Sequence, residues 1–242
     1  MVRQELVGRQ LAAHLPVPPA RVLDVGAGQG TQAIRLARLG FDVTAIEPDH
    51  GMREAFESAL RAEEPDVRSR VAVEDGSLGG LPDHVAGATY DVVCCHGVLM
   101  YLDQARPAVV ELCGLVAPGG VLSVLARNAD AMALRPGLRR DWAGVQRLLD
   151  SAAGDHPEYV NELGLPARAD RLEELASFVA GRRMHVEQWY GVRVLTDGVP
   201  TDEPVPADTE LAALLDAEER VGRTDPYRRL GTLLHVIGRR DL

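Results

Sequence analysis

The residues best placed to do chemistry lie early in the chain. The run Arg21-Val22-Leu23-Asp24-Val25 is apolar but for its acid, and Gly26, Gly28 and Gly30 follow at alternate positions. A helical pattern, Ala33, Ile34, Leu36, Ala37 and Leu39, begins directly after. This order predicts strand, tight glycine turn and helix, the opening unit of a nucleotide-type site on a doubly wound sheet. Glycine suits such a turn because its backbone reaches dihedrals closed to other residues and lets a ligand come close. Glu47 closes the next apolar run, Val43-Thr44-Ala45-Ile46, 17 residues beyond Gly30. An acid at that distance is placed to accept hydrogen bonds from the two hydroxyls of a ribose.

The spacing also bears on which nucleotide. Dinucleotide sites carry Gly-x-Gly-x-x-Gly, with the helix N-terminus aimed at a pyrophosphate. Here the pattern is Asp24-x-Gly26-x-Gly28-x-Gly30, and no basic residue stands in the turn to meet phosphate. His96 ends a later apolar run, Tyr90-Asp91-Val92-Val93-Cys94-Cys95. At the carboxyl end of a central strand it could contact a ligand, act as a base, or serve structure alone. No nucleophilic triad and no metal-ligand spacing emerges.

These residues need a sheet to hold them. Strands are expected to end at Val25 and Glu47, then over Val71-Ala72-Val73, Tyr90 to His96 and Val121 to Leu125, with later strands over Val186 to Leu195 and Leu230 to Gly238. Helices are expected over 2–14, from the glycine turn to about Leu39 with Gly40 as its cap, and from His50 to Arg61 behind the N-cap Asp49. Others follow at Gln104 to Val116, Asp170 to Val179 and Asp208 to Val221. Pro118-Gly119-Gly120 reads as a turn before the fifth strand. Residues 127–166 break the alternation and read as an irregular helical insertion over the ligand crevice, a substrate cap within one domain spanning 1–242. Thr196 to Pro206 is a loop rich in proline and acid.

Composition narrows the class. With 26 basic and 36 acidic residues the 242-residue chain carries a formal charge of −10, which disfavours nonspecific contact with phosphate backbones or anionic membranes. Arg135, Arg139, Arg140 and Arg147 cluster in the insertion, and Arg182 adjoins Arg183. Both groups read more readily as solvated faces than as anion sites. No apolar run approaches the ~18 residues of a membrane span, the N-terminus lacks a signal-peptide core, and the three cysteines show no disulfide framework. A cytoplasmic protein is expected; oligomeric state is not legible.

The motif Asp24 to Gly30 with Glu47 resembles motif I and its acidic partner in class I S-adenosylmethionine-dependent methyltransferases, whose cofactor has no phosphate. That resemblance implies an α/β, Rossmann-like fold: a seven-stranded, mostly parallel sheet with helices on both faces and its last strand antiparallel. It implies S-adenosylmethionine at Asp24, Gly26, Ala27, Gly28, Gly30 and Glu47, with Gly76 and Ser77 near adenine and His96 at the crevice. Asp24 would stand near the ammonium end. Further stretches are similar to the tRNA 5-carboxymethoxyuridine methyltransferases, which esterify a carboxylate on a wobble uridine. They are Val2-Arg3-Gln4, His96-Gly97-Val98-Leu99, Ala117 to Ser123, Asn128-Ala129, Gly191-Val192-Arg193-Val194, Asp225-Pro226-Tyr227, Leu230-Gly231 and His235-Val236. By that likeness Arg3 grasps the methionine carboxylate. The family's lysine-rich loop after the insertion is replaced here by Leu163 to Ala169.

Methyl transfer from a sulfonium is an in-line displacement, so positioning and exclusion of water are the protein's task. The acceptor is expected to be a small molecule or a modified tRNA uridine, taken through oxygen, a carboxylate among them, or nitrogen. Arg193 is the candidate fork for a carboxylate. Asn128 and the aromatic residues Tyr101, Trp142, Tyr190 and Tyr227 are candidates for the acceptor side. The rival readings are a protein that binds the cofactor without catalysis and a nicotinamide-dependent oxidoreductase.

Overall fold

The computed structural model describes residues 2–154, 158–161, 164–181, 183–197 and 207–242. Its main sheet has seven strands: β1 Arg21–Val25, β2 Asp42–Ile46, β3 Val71–Glu74, β4 Tyr90–His96, β5 Val116–Arg127, β8 Met184–Val192 and β9 Leu233–Arg240. Two short strands, β6 Glu158–Val160 and β7 Pro166–Arg168, pair separately and antiparallel. The main order is β3-β2-β1-β4-β5-β9-β8. β1 to β5 run parallel, and β9 lies antiparallel between β5 and β8. This is the doubly wound class I arrangement, with a switch point between β1 and β4 where a ligand crevice opens.

The ten α-helices among the described residues are α1 Val2–Ala12, α2 Thr31–Arg38, α3 His50–Arg61, α4 Pro65–Ser69, α5 Asp83–Ala86, α6 Ala105–Leu115, α7 Leu134–Leu138, α8 Trp142–Ala152, α9 Leu172–Val179 and α10 Asp208–Gly222. Alternation along the strands divides the core in two. Leu23, Val25, Val93 and Cys95 pack on one face with Leu112 of α6 and Leu175 of α9. Val22, Val92 and Cys94 pack on the other with Leu11 of α1 and Ala33 of α2. Strands buried on both faces read as apolar runs, as β4 does from Val92 to Cys95.

Local signals set several boundaries. Asp49 accepts a hydrogen bond from the Met52 amide at 2.8 Å and starts α3 at His50. Gly40, at φ +92°, follows α2. The insertion departs from expectation because it is not wholly helical: β6 falls within it, and the β6–β7 pairing carries the segment past residue 166. β5 begins at Val116, before the Pro118-Gly119-Gly120 turn signal, because Val116 pairs with Tyr90 ahead of an irregularity in register. Most of the Thr196 to Pro206 loop lies outside the described residues, as does Arg182. Among the described residues no helix is long and apolar enough to cross a membrane, and no cluster of three metal-ligating side chains occurs.

Candidate active site

The crevice is built at the carboxyl ends of β1, β2 and β4. Backbone amides of Gly26 and Ala27 donate to the Ile46 carbonyl at 2.7 and 3.1 Å, so the glycine turn is tied to the tip of β2. Gly26, Gly28 and Gly30 all have positive φ, which an L side chain rarely tolerates. Their surroundings differ. A Cβ on Gly30 would lie 2.1 Å from the Phe56 ring and one on Gly26 2.2 Å from Val98 Cγ2. A Cβ on Gly28 would meet nothing within 4 Å, so Gly28 alone of the three faces open space.

Two acids flank that space. The amides of Gly28 and Asp49 donate to Glu47 Oε2 and Oε1 at 2.8 and 3.0 Å, fixing the carboxylate plane beside the turn. Each oxygen retains lone-pair capacity for a further donor. Asp24, opposite Ala45 and Cys94 in the sheet, is only 2% exposed. Burial, and then the charge of Glu47, pushes its carboxyl up to about 7. A carboxylate so placed, with no side-chain hydrogen bond from any described residue, suits a cation arriving from outside. His96 extends from β4 on the same side as Cys94. Its Nε2 lies 2.8 Å from Ser123 Oγ, and burial, with the Arg3 charge second, brings it down to about 4.

Beyond the end of β5 lies a cavity of ≈ 690 Å³. Its walls include Arg3, Arg127, Arg135, Arg139, Arg147 and Arg193, with Asp141 the one acid among the lining residues. Asp197 sits behind the wall, 2.8 Å from Arg135 and 3.6 Å from Arg193. Arg127 is 8% exposed, lies 5.2 Å from the Tyr159 ring centroid, and has a buried Nε with no hydrogen-bond partner among the described residues. Burial lowers its affinity for the proton, and Asp197 opposes that. A desolvated guanidinium without an ion pair favours an anion in front of it. Arg193 stands in the left-handed region at φ +58°, on a loop held by Glu218 of α10, which accepts from the amides of Val194, Leu195 and Thr196 and from the Thr196 hydroxyl.

This architecture is shared with known proteins. A methyltransferase-domain family matches residues 23–124. The tRNA 5-carboxymethoxyuridine methyltransferase of Escherichia coli (strain K12) is 27% identical over 245 residues, 99% of this chain and 88% of that protein. The ubiquinone biosynthesis O-methyltransferase of Psychrobacter arcticus is 31% identical over 70% of this chain and 63% of its own length. A putative S-adenosylmethionine-dependent methyltransferase structure from Listeria monocytogenes superposes with a TM-score of 0.65 at 15% identity, covering 100% of this chain and 99% of that one. The chain is a class I S-adenosylmethionine-dependent methyltransferase. The oxidoreductase and non-catalytic readings give way to that assignment.

The methyltransferase brings Asp24, Gly26, Ala27, Gly28, Gly30 and Glu47 together around one turn. Gly76 follows β3 and packs toward Ile46, and Ser77 forms a bridge with Gly80 beside it. Arg3, Tyr101 and Arg193 line the cavity. The remaining acceptor-side candidates are not among the residues that line the cavity. Asn128 is buried, its amide donating to the Arg229 and Gly231 carbonyls and its oxygen accepting from the Asp130 amide, so it braces a loop. Tyr227 is exposed on a 3-10 turn and is not a lining residue. Trp142 is exposed at the start of α8, and Tyr190 bonds His14 at 2.9 Å with its ring beside His235. Arg135, Arg139 and Arg147, read from sequence as a solvated face, line the cavity, whereas Arg140 does not. Arg127 and Tyr159 were not expected at all. The four-residue spacing of Arg135 and Arg139, one helical face, was the available signal.

Proposed function

We propose that this methyltransferase esterifies a carboxylate on an anionic acceptor held in the arginine-lined cavity, with residues 127–166 acting as the substrate cap of a single domain. The observation that carries the reading is Arg127: a buried guanidinium with no anion in contact among the described residues, at the edge of a cavity with five further arginines. A carboxylate is already ionised at neutral pH and needs no base, which accords with the absence of a free acid or histidine among the lining residues apart from Asp141. Arg127, assisted by Arg193, would hold one carboxylate oxygen and leave the other to attack.

The methyl donor fits the crevice on three counts. Asp24 offers an unpartnered carboxylate to the ammonium, Gly28 leaves open space above the turn, and Glu47 keeps acceptor capacity for the ribose hydroxyls. Gly26, Ala27 and Gly30 complete the turn, Gly76 and Ser77 flank the adenine end, and Arg3 with His96 closes the methionine end. S-adenosylmethionine supplies an activated methyl group when bound; the protein aligns the carboxylate with it and excludes water. Cys94 and Cys95 are buried and form no disulfide, which accords with a reducing cytoplasm.

The relative aligned over nearly the whole chain supports the carboxylate of a modified tRNA uridine as acceptor. A small carboxylic acid is the second reading, favoured by the formal charge of −10 and by the cavity volume. The test is transfer of a labelled methyl group to bulk tRNA and, separately, to an extract of small acids. A methyl ester releases its label as methanol in mild base. A base-stable product in both arms would overturn the carboxylate assignment.

A further inference from the structure

Behind the crevice four polar side chains from four elements form an unbroken line. His96 Nε2 of β4 lies 2.8 Å from Ser123 Oγ of β5, and Ser123 Oγ lies 2.8 Å from His235 Nε2 of β9. His235 Nδ1 lies 2.7 Å from Gln10 Oε1 of α1. Ser123, His235 and Gln10 are all buried, and the two imidazoles meet edge to face at 5.6 Å between centroids. Gln10 Nε2 is buried with no hydrogen-bond partner among the described residues, so Gln10 joins the line through its amide oxygen alone, and that oxygen gives the line's hydrogens a direction.

The direction follows from the last member. A carboxamide oxygen only accepts, so His235 carries its proton on Nδ1 and offers a bare Nε2. Ser123 therefore donates to His235 and accepts from His96, which fixes the His96 proton on Nε2. His96 Nδ1 is then a bare acceptor with no partner among the described residues, and it is not among the polar atoms sealed from solvent. We propose that Gln10 is a positioning residue that sets the tautomer of His96 through Ser123 and His235, so that the crevice presents an acceptor nitrogen to a donor group of the ligand, the ammonium of the methyl donor. The ligand half of this inference rests on the placement of the methyl donor given above; the tautomer half does not.

An amide at the end of the line has a second consequence. It carries no charge to stabilise an imidazolium, so both rings stay neutral beside a cationic sulfonium. The charged and titratable groups around them agree. Arg3 of α1 faces His96, while His14 and the Tyr190 ring of β8 face His235, and no carboxylate of the described residues touches either ring. A carboxylate in place of the amide would draw a second proton onto His235. Ser123 would then accept from His235 and donate to His96, and the His96 proton would move to Nδ1.

The experiment is two-bond proton–nitrogen correlation on the intact protein with labelled histidine, free of ligand, followed by calorimetry with S-adenosylmethionine. In the unmodified chain His96 should show a protonated Nε2 and a bare Nδ1, and His235 the reverse. Gln10→Glu should move the His96 proton to Nδ1 and weaken donor binding roughly tenfold, the loss of one hydrogen bond to a charged group. If that variant fails to fold, Ser123→Ala should replace the single His96 tautomer by a mixture. A Nδ1-protonated His96 in the unmodified chain, or a His96 indifferent to both substitutions, overturns the inference. Expected tautomers with unchanged donor affinity in Gln10→Glu overturn the role toward the ligand alone. An unmodified protein that binds no donor defeats the cofactor placement and leaves the tautomer result standing by itself.

Discussion

Asp24 is almost wholly removed from water yet no described side chain pairs with it. With its carboxyl raised to about 7, above the ordinary 3.8, the folded state prefers the protonated form. Its stability contribution is therefore greatest below pH 4 and fades as pH rises through 7. A cationic ligand reverses that preference and expels the proton. Donor affinity should thus strengthen from pH 6 to about 7.5 and level off above, with proton release detectable by calorimetry in two buffers of different ionisation heat; Asp24→Asn should bind weakly and lose the slope. The glycines separate folding from binding in the same way. Gly28→Ala meets open space and should cost the fold only about 1–2 kcal/mol from its left-handed backbone, while blocking the ligand's approach. Gly30→Ala must displace the Phe56 ring and should instead fail mainly in thermal stability. Arg127→Met should leave the melting temperature unchanged or higher, since an unpaired buried charge is replaced by an apolar chain, and should raise KM for an anionic acceptor.

At the scale of elements, α10 matters through one side chain. Glu218 accepts four hydrogen bonds from the loop 194–196 and so holds the segment carrying Arg193 and Asp197. Glu218→Ala should destabilise the fold by about 3 kcal/mol, measured by denaturant unfolding, and raise KM for the acceptor with little change in donor binding. The regular elements were legible wherever burial imposed a period or a cap. β4 spans Tyr90–His96 as its apolar run implies, and α3 begins after Asp49 because that side chain can satisfy a helix-end amide. α4 and α5, of five and four residues, are too short to display a period, and β6 and β7 are three residues each. The motif half of the site was legible because glycine spacing is local. The cavity half was not: Arg127 is a lone basic residue at the end of β5, and only the tertiary arrangement reveals its burial against Tyr159. Asn128, its neighbour, carries no mark in sequence that distinguishes a loop brace from a ligand contact.

For the whole molecule the decisive contrast is between a formal charge of −10 and a cavity walled by six arginines. Long-range repulsion discourages a polyanion, whereas the local field rewards an anion once it has entered. A tRNA acceptor would then show a KM rising steeply between 50 and 200 mM salt, about tenfold or more, whereas a small acid would change only severalfold. Kinetics at two salt concentrations distinguish the acceptors without identifying either. The sheet order adds a matter of timing. β9, residues 233–240, is the last strand in the chain, yet it lies inside the sheet between β5 and β8 and contributes His235. On the ribosome, the glycine turn and its acids emerge long before the strand that binds the far edge of the sheet to the rest. A nascent chain arrested near residue 230 would hold every group proposed to contact the donor yet have an open seam beside β5, and β8 would have no neighbour to join. Such intermediates are natural clients of chaperones, and a premature stop codon there should abolish the folded protein rather than trim it.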